Sequence, residues 1–137
     1  MKPQVDQLEL IDKIKLKSIA DKRRRLEHPQ FYMLRNAQQR ASRKNFEFEL
    51  DSLWLEEKWN KGICEATGLS FEYEFGIRNP WMPSIDRIES SKGYTKENSQ
   101  LVCWMYNACK STFTSADVLI MAKAVLDANN AKRGDCG

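Results

Sequence analysis

The sequence lacks any apolar run approaching the ~18 to 20 residues needed to cross a bilayer, so no membrane-spanning helix is expected. Its first residues, MKPQVDQLELIDK, carry charges where a signal peptide would need an apolar stretch, which predicts a soluble, intracellular, cytoplasmic protein. Cysteine is sparse. Cys64, Cys103, Cys109 and Cys136 leave 38, 5 and 26 residues between neighbours, and no CxxC pair occurs. A zinc ribbon needs close pairs, so structural zinc is not expected, and without a secretory signal a disulfide framework is disfavoured as well. The expectation is three small buried thiols and one in a loose tail, with Cys64 and Cys103 able to meet across a hairpin as at most a partial metal site. Internal repeats and low-complexity segments are also missing.

What is present suits one folded domain: 137 residues, 42% hydrophobic and 10% aromatic, enough apolar material for a core. The net charge of +3 says little, but its distribution is uneven. Residues 1–50 hold 12 Lys/Arg against 7 Asp/Glu, whereas residues 51–137 hold 10 against 12. A basic front third is the footprint of a polyanion binder, although solvated basic helices in ordinary proteins look the same. The chain is therefore read as a basic helical region, 1–50, leading into a module over 51–137, the two forming one compact unit.

Along the chain, Leu8, Ile11, Ile14 and Ile19 predict a helix over about 5–26 that ends near Pro29. Phe31, Leu34, Ala37 and Ala41 predict a second helix whose exposed face carries Arg35, Arg40, Arg43 and Lys44. Phe46, Phe48 and Leu50 alternate with Glu47 and Glu49 as in a short half-buried extended segment. Asp51 is placed to cap a third helix that stops at Gly62. After short β-prone pieces around Gly68, PSIDRI and LVCW predict two strands joined by the polar loop ESSKGYTKENSQ. MYNACKS supplies a helical turn or two, Thr114 and Asp117 form a capping box, and Val118, Met121, Ala122, Val125 and Leu126 sit on a final helix before the tail NNAKRGDCG, expected to fray.

Two strands, a polar loop and an immediately following helix make a ββα unit, and Asp86, Arg87, Asn98 and Asn107 fall at its informative points. If the hairpin folds back, the first strand lies beside the start of the helix. Asp86 and Asn107 can then offer a carboxylate and an amide oxygen to one hard divalent cation, which prefers oxygen ligands and keeps several waters. Such an ion can bind a scissile phosphate and stabilise the leaving oxygen. Asp, Asn and Arg near turns also serve as caps and loop hydrogen-bonders, so spacing alone leaves both readings open.

At these residues the sequence resembles a known family. Residues 64 to 110, CEATG…PSIDRIESSKGYTKENSQLVCWMYNACK, look like the HNH endonuclease module, also called the ββα-metal or His-Me finger, and especially its phage-borne versions. The preceding RNAQQRASRKNFEFELDSLWLEEKWNKGIC is similar to the helical lead-in of many phage and prophage proteins. The resemblance implies an α+β fold: a ββα-metal module preceded by basic amphipathic helices and followed by a C-terminal helix. It implies a DNA endonuclease using Mg²⁺ or Mn²⁺, in a phage or prophage setting, with Asp86 and Asn107 as metal ligands. Asn98 takes the place of the central asparagine, which ties the loop together and orients the catalytic position.

The family's general base is normally a histidine directly after the acid, and here that position is Arg87. Arginine stays protonated and cannot take a proton from water. The lone histidine, His28, lies outside the module and reads as a surface or capping residue. In a variant site Arg87 would clamp the phosphate while metal-bound water or Tyr94 supplies nucleophile or base. The alternative is a DNA-binding or phage accessory protein in which catalysis has lapsed. Arg40, Arg43, Lys44 and the Arg23, Arg24, Arg25 run are the expected phosphate contacts, and the tryptophans Trp54, Trp59, Trp81 and Trp104 are expected mainly in the core. Oligomeric state is left open.

Overall fold

Pro29 separates the first two helices. A residue before proline is driven out of helical geometry, and His28 sits at φ −134°, ψ 63°, between α1 (Pro3–Glu27) and α2 (Pro29–Arg43). The computed structural model describes residues 3–74 and 78–134, so Cys136 lies outside them. Asp51 caps α3 (Ser52–Lys61) by accepting from the Trp54 N–H at 2.8 Å, and Gly62 ends it in the left-handed region at φ 70°. The two strands, β1 (Pro83–Arg87) and β2 (Ser99–Cys103), pair antiparallel, with Ile85 opposite Leu101 and Asp86 opposite Gln100.

Directly after β2 comes α4 (Trp104–Lys110), with no side-chain cap. Its first N–H groups are satisfied from outside. Trp104 N donates to Met82 O at 2.8 Å and Met105 N to Pro80 O at 2.9 Å, which pins the helix start against the turn that precedes β1. The last helix, α5 (Ser115–Gly134), opens on the expected box: Thr114 N donates to Asp117 Oδ2 and Asp117 N to Thr114 Oγ1.

One buried cluster unites these pieces. Ala37 and Ala41, four apart on α2, Leu50, Trp54 and Leu55 around α3, Cys64 and Phe71 from the intervening loops, and Ile85, Leu101, Val102 and Cys103 from the hairpin all belong to it. The extended segment 46–50 docks on the β1–β2 loop: Tyr94 N donates to Glu47 O at 2.8 Å and Glu49 N to Tyr94 O at 2.9 Å. Gly93 makes that approach possible.

Four expectations need correction. Residues 129–134 of the presumed frayed tail continue α5 as helix, because nothing in NNAKRG breaks the helical run. Cys109 is exposed, since α4 turns Asn107 and Lys110 inward and leaves Cys109 on its outer side. The apolar residues of α1 lie along a helix but are not buried; Leu8 and Ile14 remain 64% and 58% exposed, and among the described residues α5 buries none. Trp104, expected in the core, is only half-buried and lines a groove described below.

A Cβ at Gly93 would fall 2.6 Å from Glu47 O and 2.8 Å from Glu47 N, both backbone atoms that cannot swing aside. Gly93→Ala is expected to destabilise by about 1–3 kcal/mol, as overpacking does, with the loss read from chemical denaturation. An unchanged midpoint would show that segment 46–50 is not held against the loop.

Candidate functional site

Ser84 and Asp86 share one face of β1, because side chains alternate along a strand, and α4 packs over that face. Asn107 and Lys110, three apart, project from the same side of α4 onto it. Lys110 is completely buried. Its Nζ donates to Asp86 Oδ1 at 3.1 Å and to the Arg87 carbonyl at 2.7 Å, while Gln100 Nε2, across the strand pair, donates to Asp86 Oδ2 at 2.9 Å. A buried charge pair of this kind stabilises only when hydrogen bonds support it, and here Lys110 makes two and both Asp86 oxygens accept one. Neither Lys110 nor Gln100 was singled out from the sequence. The signals were the Asn107-x-x-Lys110 spacing and the hairpin register that sets Gln100 opposite Asp86.

Asn107 spends both amide hydrogens inward, with Nδ2 donating to Ser84 Oγ at 2.8 Å and Ile85 O at 3.2 Å. The amide oxygen is the atom left over for a ligand. Asn98 sits at the centre of the loop between the strands: Nδ2 donates to Glu89 O and Gly93 O, Oδ1 accepts from Glu89 N at 2.9 Å, and its backbone N donates to Thr95 Oγ1. It therefore closes the loop on itself at a point 9% exposed.

Arg87 leaves the opposite face of β1. Its guanidinium lies 4.6 Å from the Phe46 ring centroid and 5.2 Å from that of Tyr94, and Nη1 donates to Lys92 O at 3.0 Å. Arg40 reaches the same tyrosine from α2, with Nε donating to the hydroxyl at 3.4 Å. Asp86, Arg87, Tyr94, Asn107, Arg40 and Lys44 all line one open groove of about 550 Å³.

The other residues lie elsewhere. Arg43 is exposed on α2 and does not line the groove. Arg23 pairs with Glu27 along α1, Arg25 stacks over Tyr32 at 5.4 Å, and Arg24 and His28 line a separate cleft between α1, α2 and α3. Cys64 and Cys103 do meet, the Cys103 N–H donating to Cys64 Sγ at 3.2 Å. Burial pushes the Cys103 thiol up; at Cys64 burial acts the same way but is outweighed by hydrogen bonds from Thr67 and the Cys103 and Ala66 N–H groups, so its net shift is downward. Among the described residues no three His, Cys, Asp or Glu side chains cluster to hold a metal.

No protein-family model matches the sequence, and no curated protein matches it. A solved structure does: that of the rare-cutting HNH restriction endonuclease PacI, 17% identical, superposes with a TM-score of 0.53 over 75% of this chain and 80% of that one. The fold is an HNH-type ββα fold. The expected α+β architecture stands with it, two strands and a helix set among further helices. None of these helices, among the described residues, is long and apolar enough to cross a membrane.

The HNH-type hairpin and helix are locked together by the Lys110–Asp86 pair. Lys110→Met should leave Asp86 buried without its cation and destabilise by about 3–5 kcal/mol. Adding Asp86→Asn should recover part of that loss, because the uncompensated charge is gone. Denaturant titration of the two single variants and the double variant measures the coupling, and strictly additive losses would show that the pair does not interact.

Proposed function

We propose that this chain is a metal-dependent DNA endonuclease of the HNH type in which Arg87 stands where histidine is usual. The observation that carries the reading is the groove itself. A carboxylate (Asp86), an amide oxygen with no hydrogen to donate (Asn107) and an oriented guanidinium (Arg87) line one cleft, with two more cations, Arg40 and Lys44, beside them. The HNH restriction endonuclease with the same fold supports DNA as the substrate.

The donor set suits a hard divalent cation such as Mg²⁺ or Mn²⁺. Such an ion is commonly held by one or two protein oxygens, the rest being water and substrate phosphate, so the Asp86 carboxylate and the Asn107 amide oxygen suffice without a second carboxylate. When bound, it would polarise the phosphoryl group and stabilise the leaving oxygen. Asp86 gives one lone pair of each oxygen to Lys110 and Gln100 and keeps the others, so it is oriented before any ligand arrives.

Arg87 binds and holds charge; it does not move a proton. Stacked on Phe46 and anchored to Lys92 O, its guanidinium is fixed where a phosphodiester in the groove gathers negative charge, and groups fixed before reaction need no reorganisation. Tyr94 accepts from Arg40, which leaves its own O–H to donate to a phosphate oxygen or to orient water. Arg40 and Lys44 extend the positive wall along α2.

One observation favours a second reading. Lys110 already neutralises Asp86, as in a module that keeps the fold and binds DNA without cutting it. Plasmid cleavage with Mg²⁺, Mn²⁺ and EDTA separates the two. The parent should cut only with metal, Asp86→Ala should not cut, and Arg87→Ala should cut about 10²-fold more slowly, the usual loss for one transition-state charge partner. Arg87→His should not exceed the parent. A silent parent together with an active Arg87→His would establish the lapsed form, and thermal melts guard against unfolding.

DNA affinity supplies another test. Arg40→Ala with Lys44→Ala should weaken binding about equally for unrelated sequences and flatten the logarithmic salt slope by roughly 2, one phosphate contact each. Arg43→Ala, outside the groove, should change it much less. Equal effects at all three positions would move the interface off the groove.

A further inference from the structure

The outer face of α1 carries large apolar side chains that, among the described residues, stay mostly exposed. Leu8, Leu16, Ile19 and Leu26 are 64%, 67%, 65% and 61% exposed. The opposite side of the helix is the one turned to its neighbours: Asp21 and Arg24 line the cleft against α2 and α3, the Tyr32 hydroxyl donates to Asp21 O, and Arg25 stacks on Tyr32. The outward side follows a coiled-coil spacing of 4, 3, 4, 3 and 4 through Leu8, Asp12, Lys15, Ile19, Lys22 and Leu26, with Glu9, Leu16 and Arg23 on one flank.

We infer that this face pairs α1 with α1 of a second copy of the chain, antiparallel, about a two-fold axis near Leu16. Charge decides both partner and direction. The helix is acidic at its start, with Glu9 and Asp12, and basic at its end, with Lys22, Arg23, Arg24 and Arg25. A parallel pair would set Asp12 against Asp12 and Lys22 against Lys22. An antiparallel pair brings opposite ends together, and a single register satisfies every layer at once. In it Leu8 meets the second copy's Leu26, Asp12 meets its Lys22, Lys15 lies along its Ile19, Glu9 faces its Arg23, and Leu16 faces Leu16 across the axis.

Because the contact is isologous, each of these pairs is made twice except Leu16–Leu16 on the axis, and the interface closes without leaving an unpaired half. Lys15 does not spoil it, since a lysine stem covers apolar surface while its head reaches solvent. The intrahelical Arg23–Glu27 pair is exposed and leaves the guanidinium accessible to Glu9 of the second copy. The pairing buries the apolar face without touching the groove.

Sedimentation velocity of the full chain over a micromolar concentration series tests it. The parent should run as a reversible dimer of the 16.0 kDa chain. Ile19→Glu should give a monomer that still unfolds in one cooperative transition, its melt lowered only by the loss of the partner, since Ile19 is 65% exposed in its own chain. Asp12→Lys should weaken dimerisation roughly tenfold by turning two attractive layers repulsive. Adding Lys22→Asp to it should restore the parent affinity, because the same layers re-form with signs exchanged. A parent that stays monomeric, a dimer indifferent to Ile19→Glu, or an Asp12→Lys defect that Lys22→Asp leaves in place would each overturn the proposal.

Discussion

A single ammonium group, Lys110 Nζ, holds the end of β1 to the end of α4. Burying a cation costs several kcal/mol, and it is tolerated here because Asp86 supplies the counter-charge and the Arg87 carbonyl a second acceptor. The position also suits the helix, whose C-terminal carbonyls favour a positive charge. With both ends of α4 tied, one by Met82 O and Pro80 O and the other by Lys110, Asn107 has no freedom to turn. Its inward hydrogen bonds to Ser84 and Ile85 follow from that restraint.

The second wall of the groove depends on a different contact. Gly93 lets the loop lie against Glu47, which sets Tyr94 beside Phe48 and brings Phe46 under Arg87. Asn98 then fixes the loop from inside. Residues far apart in sequence, in the lead-in and in the hairpin loop, thus form one stacked unit around a guanidinium. The basic lead-in is not an appendage: Ala37 and Ala41 are among its most buried residues and belong to the same core as the strands.

The elements were largely legible because each is punctuated locally. Pro29, Asp51, Gly62 and the Thr114–Asp117 box mark boundaries through backbone chemistry that acts within a few residues. What escaped is what depends on tertiary context. Nothing about Lys110 in isolation distinguishes a buried lysine from a solvated one; only the register, which sets Asp86 against Gln100 and under α4, does so. Likewise the stripe on α1 reads the same whether it faces a core or solvent, and Cys109 looks like its buried neighbours until the phase of α4 is known. The basic residues divide for the same reason: Arg40 and Lys44 reach the groove, while Arg43 points away by the helical turn between them.

The surroundings of Arg87 bear on why an arginine serves there. Its length carries the charge past the strand and over the Phe46 ring while the backbone stays paired with Ser99. An imidazole at the same position is too short to span both that ring and Lys92 O. The aromatic pair, the carbonyl anchor and the second arginine on Tyr94 all suit a guanidinium. A flat, permanently charged group stacked on a ring loses little rotational freedom when it meets a phosphate, because its plane is already chosen. On the endonuclease reading proposed above, such a position would hold charge, and proton transfer in the groove would fall to water or to the Tyr94 hydroxyl beside it.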